Sequence, residues 1–211
     1  MSREEVQRNQ RERILAATIE VASLNGYVNM SVEDIISTAG LSRRTFYDFY
    51  KGKEEAFLLA YEDVSRQLME HVLGAVSLEG GFAERVRDAL SAFLTFFAER
   101  PTYADVCIVE VLAAGPAAIE RRNAVMSRLS GFVLQTVDEL LPKRGRPPEL
   151  AAETLIGGVY EVVYSRVLEG KAGELPELLP DLLYSLLLPY LGPEQASAEM
   201  RKQRRKSARR S

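Results

Sequence analysis

The sequence predicts an all-α protein: an N-terminal three-helix unit containing a helix-turn-helix, followed by a longer helical domain. Three observations carry this. Apolar residues recur at helical spacing almost throughout, and no segment shows the alternation of a half-buried strand. Glycines and N-capping residues punctuate the first 55 residues at short intervals. All nine prolines fall after residue 100, where they break longer helical stretches. The predicted boundaries are 1–55 for the first domain, 56–192 for the second, and 193–211 for a basic tail without structure.

The first helix is expected over 5–24, with Ile14, Thr18, Val21 and Ala22 as its inner stripe and Asn25-Gly26 as its end. Ser31 reads as an N-cap, with Asp34 three residues on. A short helix over 32–39 breaks at Gly40. Ser42 is a second N-cap and opens about two turns through Phe49. Gly52 precedes a longer helix over 53–73, and Gly80-Gly81 is a loop. Helices follow over 82–99 and 102–113, broken at Pro101 and Gly115-Pro116, then over 117–141. Residues 142–148 are a proline- and glycine-rich loop. The last helices are 149–169 and 177–188, with Pro176 and Pro180 fitting only a first turn, and Pro189 and Gly192-Pro193 ending the last one.

Composition narrows the function classes. Of 211 residues, 46% are hydrophobic and 27% charged, which describes a chain that buries a core. There is one cysteine, Cys107, and one histidine, His71. No intrachain disulfide is possible, and neither residue sits in a metal-ligand spacing. No phosphate-binding glycine loop or catalytic motif is present, so neither an enzyme nor a cofactor is expected. The N-terminus lacks an apolar signal core, and no apolar run reaches the ~18 residues of a membrane span. A cytoplasmic location is the expectation. The net charge of −3 hides an asymmetry: residues 201–210 hold seven basic residues and no acidic one. A run of this kind is an interaction arm or a solvated end.

The two short capped helices form a helix-turn-helix, with Ile35, Ile36, Ala39, Leu41 and Phe46 locking their crossing. The second helix then presents Arg43, Arg44, Thr45, Tyr47 and Asp48 near its N-terminus, the end that enters the major groove in such motifs. Arginine reads guanine through a two-pronged bond to O6 and N7. Thr45 and Tyr47 can donate to phosphate, and Lys51 and Lys53 lie where the next helix begins, its positive dipole end adding to their charge. The first 55 residues hold 8 basic and 9 acidic groups. Double-stranded DNA would therefore be held by local placement, not bulk charge.

The ordered string is more specific than the motif. Arg11-x-x-Ile14-Leu15, Gly26-Tyr27, Ser31-Val32-x-x-Ile35, Ala39-Gly40-Leu41-Ser42, Thr45-Phe46-Tyr47 and Tyr50-Lys51-Gly52-Lys53-Glu54 together resemble the TetR family of regulators. The resemblance covers residues 11–61. It implies that Ser31, Thr45, Tyr47 and Lys53 hold phosphates and that the pair Arg43-Arg44 reads bases. Ile36, Phe49 and Gly52 depart from the usual pattern; Phe49 brings no polar group for a phosphate, and the cap at Gly52 is weaker.

For the second domain the resemblance implies a ligand pocket and a homodimer interface made by the last two helices. The residues add independent reasons. Gly157-Gly158 interrupts a strong helical pattern, where each glycine costs about 1 kcal/mol against alanine. With Ala151 and Thr154 it forms a small-residue stripe suited to close approach of another helix, within one subunit or across a dimer. Candidate lining residues for a small hydrophobic effector are Phe93, Phe96, Phe97, Tyr103, Cys107, Glu110, Tyr160 and Tyr164. Plain core is the competing reading for the aromatics. For Glu110 it is an ion pair with Arg121 or Arg122. The expected protein is a dimeric bacterial repressor released from a pseudo-palindromic operator by its ligand. An activator or co-repressed regulator of the same architecture, and a helical small-molecule-binding protein without a DNA function, remain alternatives.

Overall fold

The computed structural model describes residues 2–142 and 147–208. Residues 143–146 of the expected loop, and 209–211 of the tail, lie outside them. Every regular element among the described residues is helical: α1 (Arg3–Asn25), α2 (Val32–Ala39), α3 (Arg43–Phe49), α4 (Lys53–Ala75), α5 (Phe82–Ala98), the single turn α6 (Pro101–Ala104), α7 (Pro116–Leu140), α8 (Leu150–Leu168) and α9 (Leu179–Ser207). No single helix among them is long and apolar enough to cross a membrane.

The chain packs as two compact units: Met1–Arg66 with Thr102–Arg122, and Gln67–Pro101 with Asn123–Ser211. In the first unit, Ile14, Thr18, Val21 and Ala22 are all buried. That is the stripe which 3.6-residue periodicity predicts. α2 and α3 pack on α1, and Ile35, Ala39 and Phe46 are buried as well, so the helix-turn-helix closes over α1.

The segment expected as one helix over 102–113 is instead three different windings. After α6 comes a π turn, Asp105–Val109, and then a 3-10 turn, Glu110–Leu112. The physical reason lies in the run Val106-Cys107-Ile108-Val109, which offers more adjacent apolar side chains than one stripe of an α-helix can bury. Three of its residues are β-branched, which lowers the preference for regular helix. In the observed winding Val106, Cys107, Ile108 and Val111 are all buried.

In the second unit α5 packs against α9 and against a 3-10 segment, Ala172–Leu178, while α8 packs on both. The expectation of an unstructured tail from 193 is corrected: α9 continues through Ser207. Pro189 does not stop it. The break comes at Gly192, whose φ of 78° and ψ of 170° turn the chain back. Glycine adopts that conformation without a Cβ penalty. Arg204 then reaches Asp181 at 2.7 Å, so the two arms of α9 run side by side. The second arm holds because it has a face to bury: Ala196 and Gln203 are buried.

Candidate nucleic-acid interface

Helix α3, the second helix of the helix-turn-helix, is fixed by its caps and by two aromatic anchors. Gly40 ends α2 in the left-handed region at φ 61°, and a Cβ there would lie 2.9 Å from the guanidinium of Arg13. Arg13 donates to the carbonyls of Ala39 at 2.5 Å and Gly40 at 3.2 Å, satisfying the end of α2 that Gly40 leaves open. Ser42 then caps α3: its Oγ accepts the N–H of Thr45 at 3.1 Å and lies 2.8 Å from the Thr45 hydroxyl. Phe46 and Tyr50 are buried with ring centroids 5.6 Å apart. With that face of α3 turned inward, Arg43, Arg44, Tyr47 and Asp48 are left exposed.

The two arginines are not equivalent. Arg44 is exposed, with no side-chain partner among the described residues. Arg43 pairs with Glu33 of α2, and its guanidinium stands 5.6 Å from the Tyr47 ring centroid. Glu33 therefore holds one of the two expected base readers from the neighbouring helix. Ser31 is engaged too. Its Oγ accepts the Asp34 N–H at 3.2 Å and donates to the Asp34 carboxylate at 2.7 Å, and that carboxylate also accepts the Ser31 N–H at 2.9 Å. These bonds to the charged form hold the Asp34 carboxyl below its ordinary range.

Lys53 does not stand as a free phosphate ligand. Its ammonium donates to the carbonyls of Tyr27 at 3.1 Å, Val28 at 3.1 Å and Met30 at 2.9 Å. An ammonium has three donors, and the turn between α1 and α2 takes all of them. The same turn is held from the other side. Glu110 accepts the Tyr27 N–H at 2.6 Å, and just before the turn Asp105 accepts the hydroxyl of Ser23, in the last turn of α1, at 2.5 Å. Of the two arginines expected as partners for Glu110, Arg121 or Arg122, Arg121 bonds Glu62 at 2.5 Å instead. The local pattern gave no signal for these roles of Arg13, Glu33, Asp105 and Glu110, because their partners lie 10 to 83 residues away.

Residues 14–60 match the family model described as bacterial regulatory proteins, tetR family. The chain is a TetR-like transcriptional regulator. Its similarity extends beyond that domain. The fatty acid metabolism regulator protein of Bacillus subtilis (strain 168) is 24% identical over 173 residues, covering 78% of this chain and 87% of the relative. Two solved structures share the fold. The fatty acid degradation regulator FadR from Bacillus halodurans has a TM-score of 0.75 at 17% identity, covering 84% of this chain and 94% of that one. FadR from Bacillus subtilis, in complex with stearoyl-CoA, has a TM-score of 0.72 at 22% identity, covering 86% and 98%.

In this TetR-like regulator the expected effector-lining residues divide between the two units. Phe93 and Phe96 lie buried on α5, each ring edge-on to Phe97 at 5.2 and 5.4 Å. Tyr160 on α8 is buried and Tyr164 half-buried. Tyr103, Cys107 and Glu110 belong to the first unit. Cys107 is buried, and loss of hydration pushes its thiol pKa up, which makes it a small hydrophobe, not a nucleophile. On α8, Thr154 and Gly158 are exposed and Gly157 half-exposed. A Cβ at either glycine would meet nothing within 4 Å. Nothing packed within the described chain requires glycine there.

Proposed function

We propose that the regulator is a homodimeric repressor that acts in the cytoplasm. It binds a pseudo-palindromic operator through α3 and is released by a ligand with a long apolar chain, an acyl thioester of the stearoyl-CoA kind. The observation that carries the DNA reading is α3 itself: a helix anchored by Phe46 and Tyr50 that exposes Arg43, Arg44 and Tyr47 on one face. Arg43 and Arg44 read bases, while Thr45 and Tyr47 hold phosphates together with the N-terminus of α2 at Ser31. Similarity to the Bacillus fatty acid regulators, across most of both chains, supports the effector class. So does the aromatic cluster on α5. Burial supplies affinity for an acyl chain, and a few polar groups supply orientation.

The dimer reading is supported by the outer face of α8 and α9. Leu150, Val162, Leu168 and Leu188 are exposed there, and the stripe of Thr154, Gly157 and Gly158 lies open. A second copy, packing α8 and α9 against their equivalents, would cover these groups and account for both glycines. The ligand releases DNA only if it prefers a state in which the two reading helices no longer match the operator.

Selection of bound genomic fragments tests the first half. The fragments should share two half-sites about 34 Å, one helical turn, apart or a multiple of that. Gel shifts on the selected site, with stearoyl-CoA, coenzyme A and stearate added separately, test the second half. Release by stearoyl-CoA alone is the expected result. Tighter binding on addition would assign a co-repressed regulator. No effect from any long-chain compound would remove the effector class while leaving the DNA reading intact.

A further inference from the structure

We infer that the second arm of α9 is a separate binding surface for the phosphate backbone of duplex DNA. Ala198, Arg201, Lys202, Arg205 and Lys206 line one shallow, open cleft. Their spacing, i, i+3, i+4, i+7 and i+8, places them on one side of the helix. All five are exposed. The side that carries Ala196 and Gln203 is buried, so the four cations are held on an anchored helix.

The composition of the stripe selects the partner. No large apolar side chain shares this face, and the apolar side of the arm is already buried within the protein. A helix that lies in a membrane surface needs the opposite arrangement, with its apolar face free to enter lipid. Two of the four cations are arginines, whose planar forks match phosphate oxygens. Arg201 and Arg205, like Lys202 and Lys206, stand one turn apart, about 6 Å along the axis, so the charge is spread in rungs. Lys202 also lies 3.6 Å from the Glu199 carboxylate, and Arg204 is turned away to Asp181. Arg201, Arg205 and Lys206 remain without a partner among the described residues. Outside 201–210 the chain holds 20 basic and 30 acidic residues, which makes this stripe a local reversal of sign. The stripe reads no bases, since a row of cations on an exposed helix neutralises phosphates without reporting sequence.

The test uses the full chain with Arg201, Lys202, Arg205 and Lys206 all changed to Gln, and a second variant with Arg201→Gln and Arg205→Gln only. Arg204 is left in place, and far-UV circular dichroism checks helix content. Binding to a random-sequence duplex is followed by anisotropy between about 50 and 250 mM salt. Each phosphate contact contributes a slope of about 0.9 in log affinity against log salt. The double variant should therefore lose up to about 1.8 units per bound chain and the quadruple variant up to about 3.6. The sequence preference found by site selection should stay the same. An unchanged slope in the double variant, with helix content retained, overturns the proposal. So does loss of binding to vesicles containing phosphatidylserine while the DNA slope stays constant, which would assign the stripe to a membrane.

Discussion

Lys53 and Glu110 hold opposite sides of one residue. The ammonium of Lys53 takes the carbonyl of Tyr27 at 3.1 Å, and the carboxylate of Glu110 takes its N–H at 2.6 Å. Tyr27 also stacks edge-on against Phe57, with centroids 4.9 Å apart. The turn from α1 into the helix-turn-helix is thus clamped by groups from α4 and from the segment that follows α6.

Glu110→Ala should leave the half-buried Tyr27 N–H without its partner. The expected cost is about 1–3 kcal/mol, read as a shift in the urea midpoint at unchanged slope, together with weaker operator binding. Glu110→Gln keeps an acceptor oxygen and should recover most of both. Equal effects from Ala and Gln would show that the carboxylate's charge matters, not its bond to Tyr27.

Lys53→Met removes three donors while keeping the apolar stem. Because the ammonium serves carbonyls, stability should fall by about 1–3 kcal/mol, and cognate and random DNA should weaken alike. A loss of about one unit of salt slope per half-site with unchanged stability would instead return Lys53 to a phosphate.

Arg44→Ala should cost about 1–3 kcal/mol on the selected operator and relax preference at one base pair, with a smaller effect on random DNA. Arg43→Ala should do the same at a neighbouring pair, and Glu33→Ala should blur that same position by freeing Arg43. The Glu33–Arg43 pair is exposed, so its loss should leave the melting temperature nearly unchanged. If neither arginine substitution alters sequence preference, α3 is not the reading helix.

The Asp34 carboxyl is held below its ordinary range by Ser31. A depressed carboxylate stabilises the fold above its unfolded pKa, and that contribution is lost as pH falls through the lower folded value. Ser31→Ala should therefore lower the melting temperature at pH 7, and the gap to wild type should narrow below about pH 3.9. A gap that is constant from pH 7 to 3 would mean that only the uncharged cap contributes.

Gly158→Arg puts a bulky charge on the open stripe of α8. Sedimentation should show monomers where the wild type sediments as a dimer at micromolar concentration, and operator binding should disappear. A monomeric wild type would sink the dimer reading.

Much of the first unit was legible in the sequence because local rules decide it. Ser31 and Ser42 cap the helices that follow them, Gly40 supplies the left-handed turn between those helices, and the stripe from Ile14 to Ala22 points inward. Each of these features involves residues a few positions apart, where helical geometry links sequence spacing directly to a shared face or a shared turn. The partners of Lys53, Glu110 and Arg43 were not legible, because the chain brings them together from 10 to 83 residues apart. A charged side chain read in sequence looks equally ready for a phosphate, an ion pair or a backbone carbonyl. Only the packed structure shows which groups lie within hydrogen-bond distance of it. The tail shows the same division from the other side. Its basic charge was evident from residues 201–210, but whether that charge hung free or stood on a helix depended on Gly192 folding the arm back to bury Ala196 and Gln203. Burial against a distant surface is a tertiary event that no local pattern encodes.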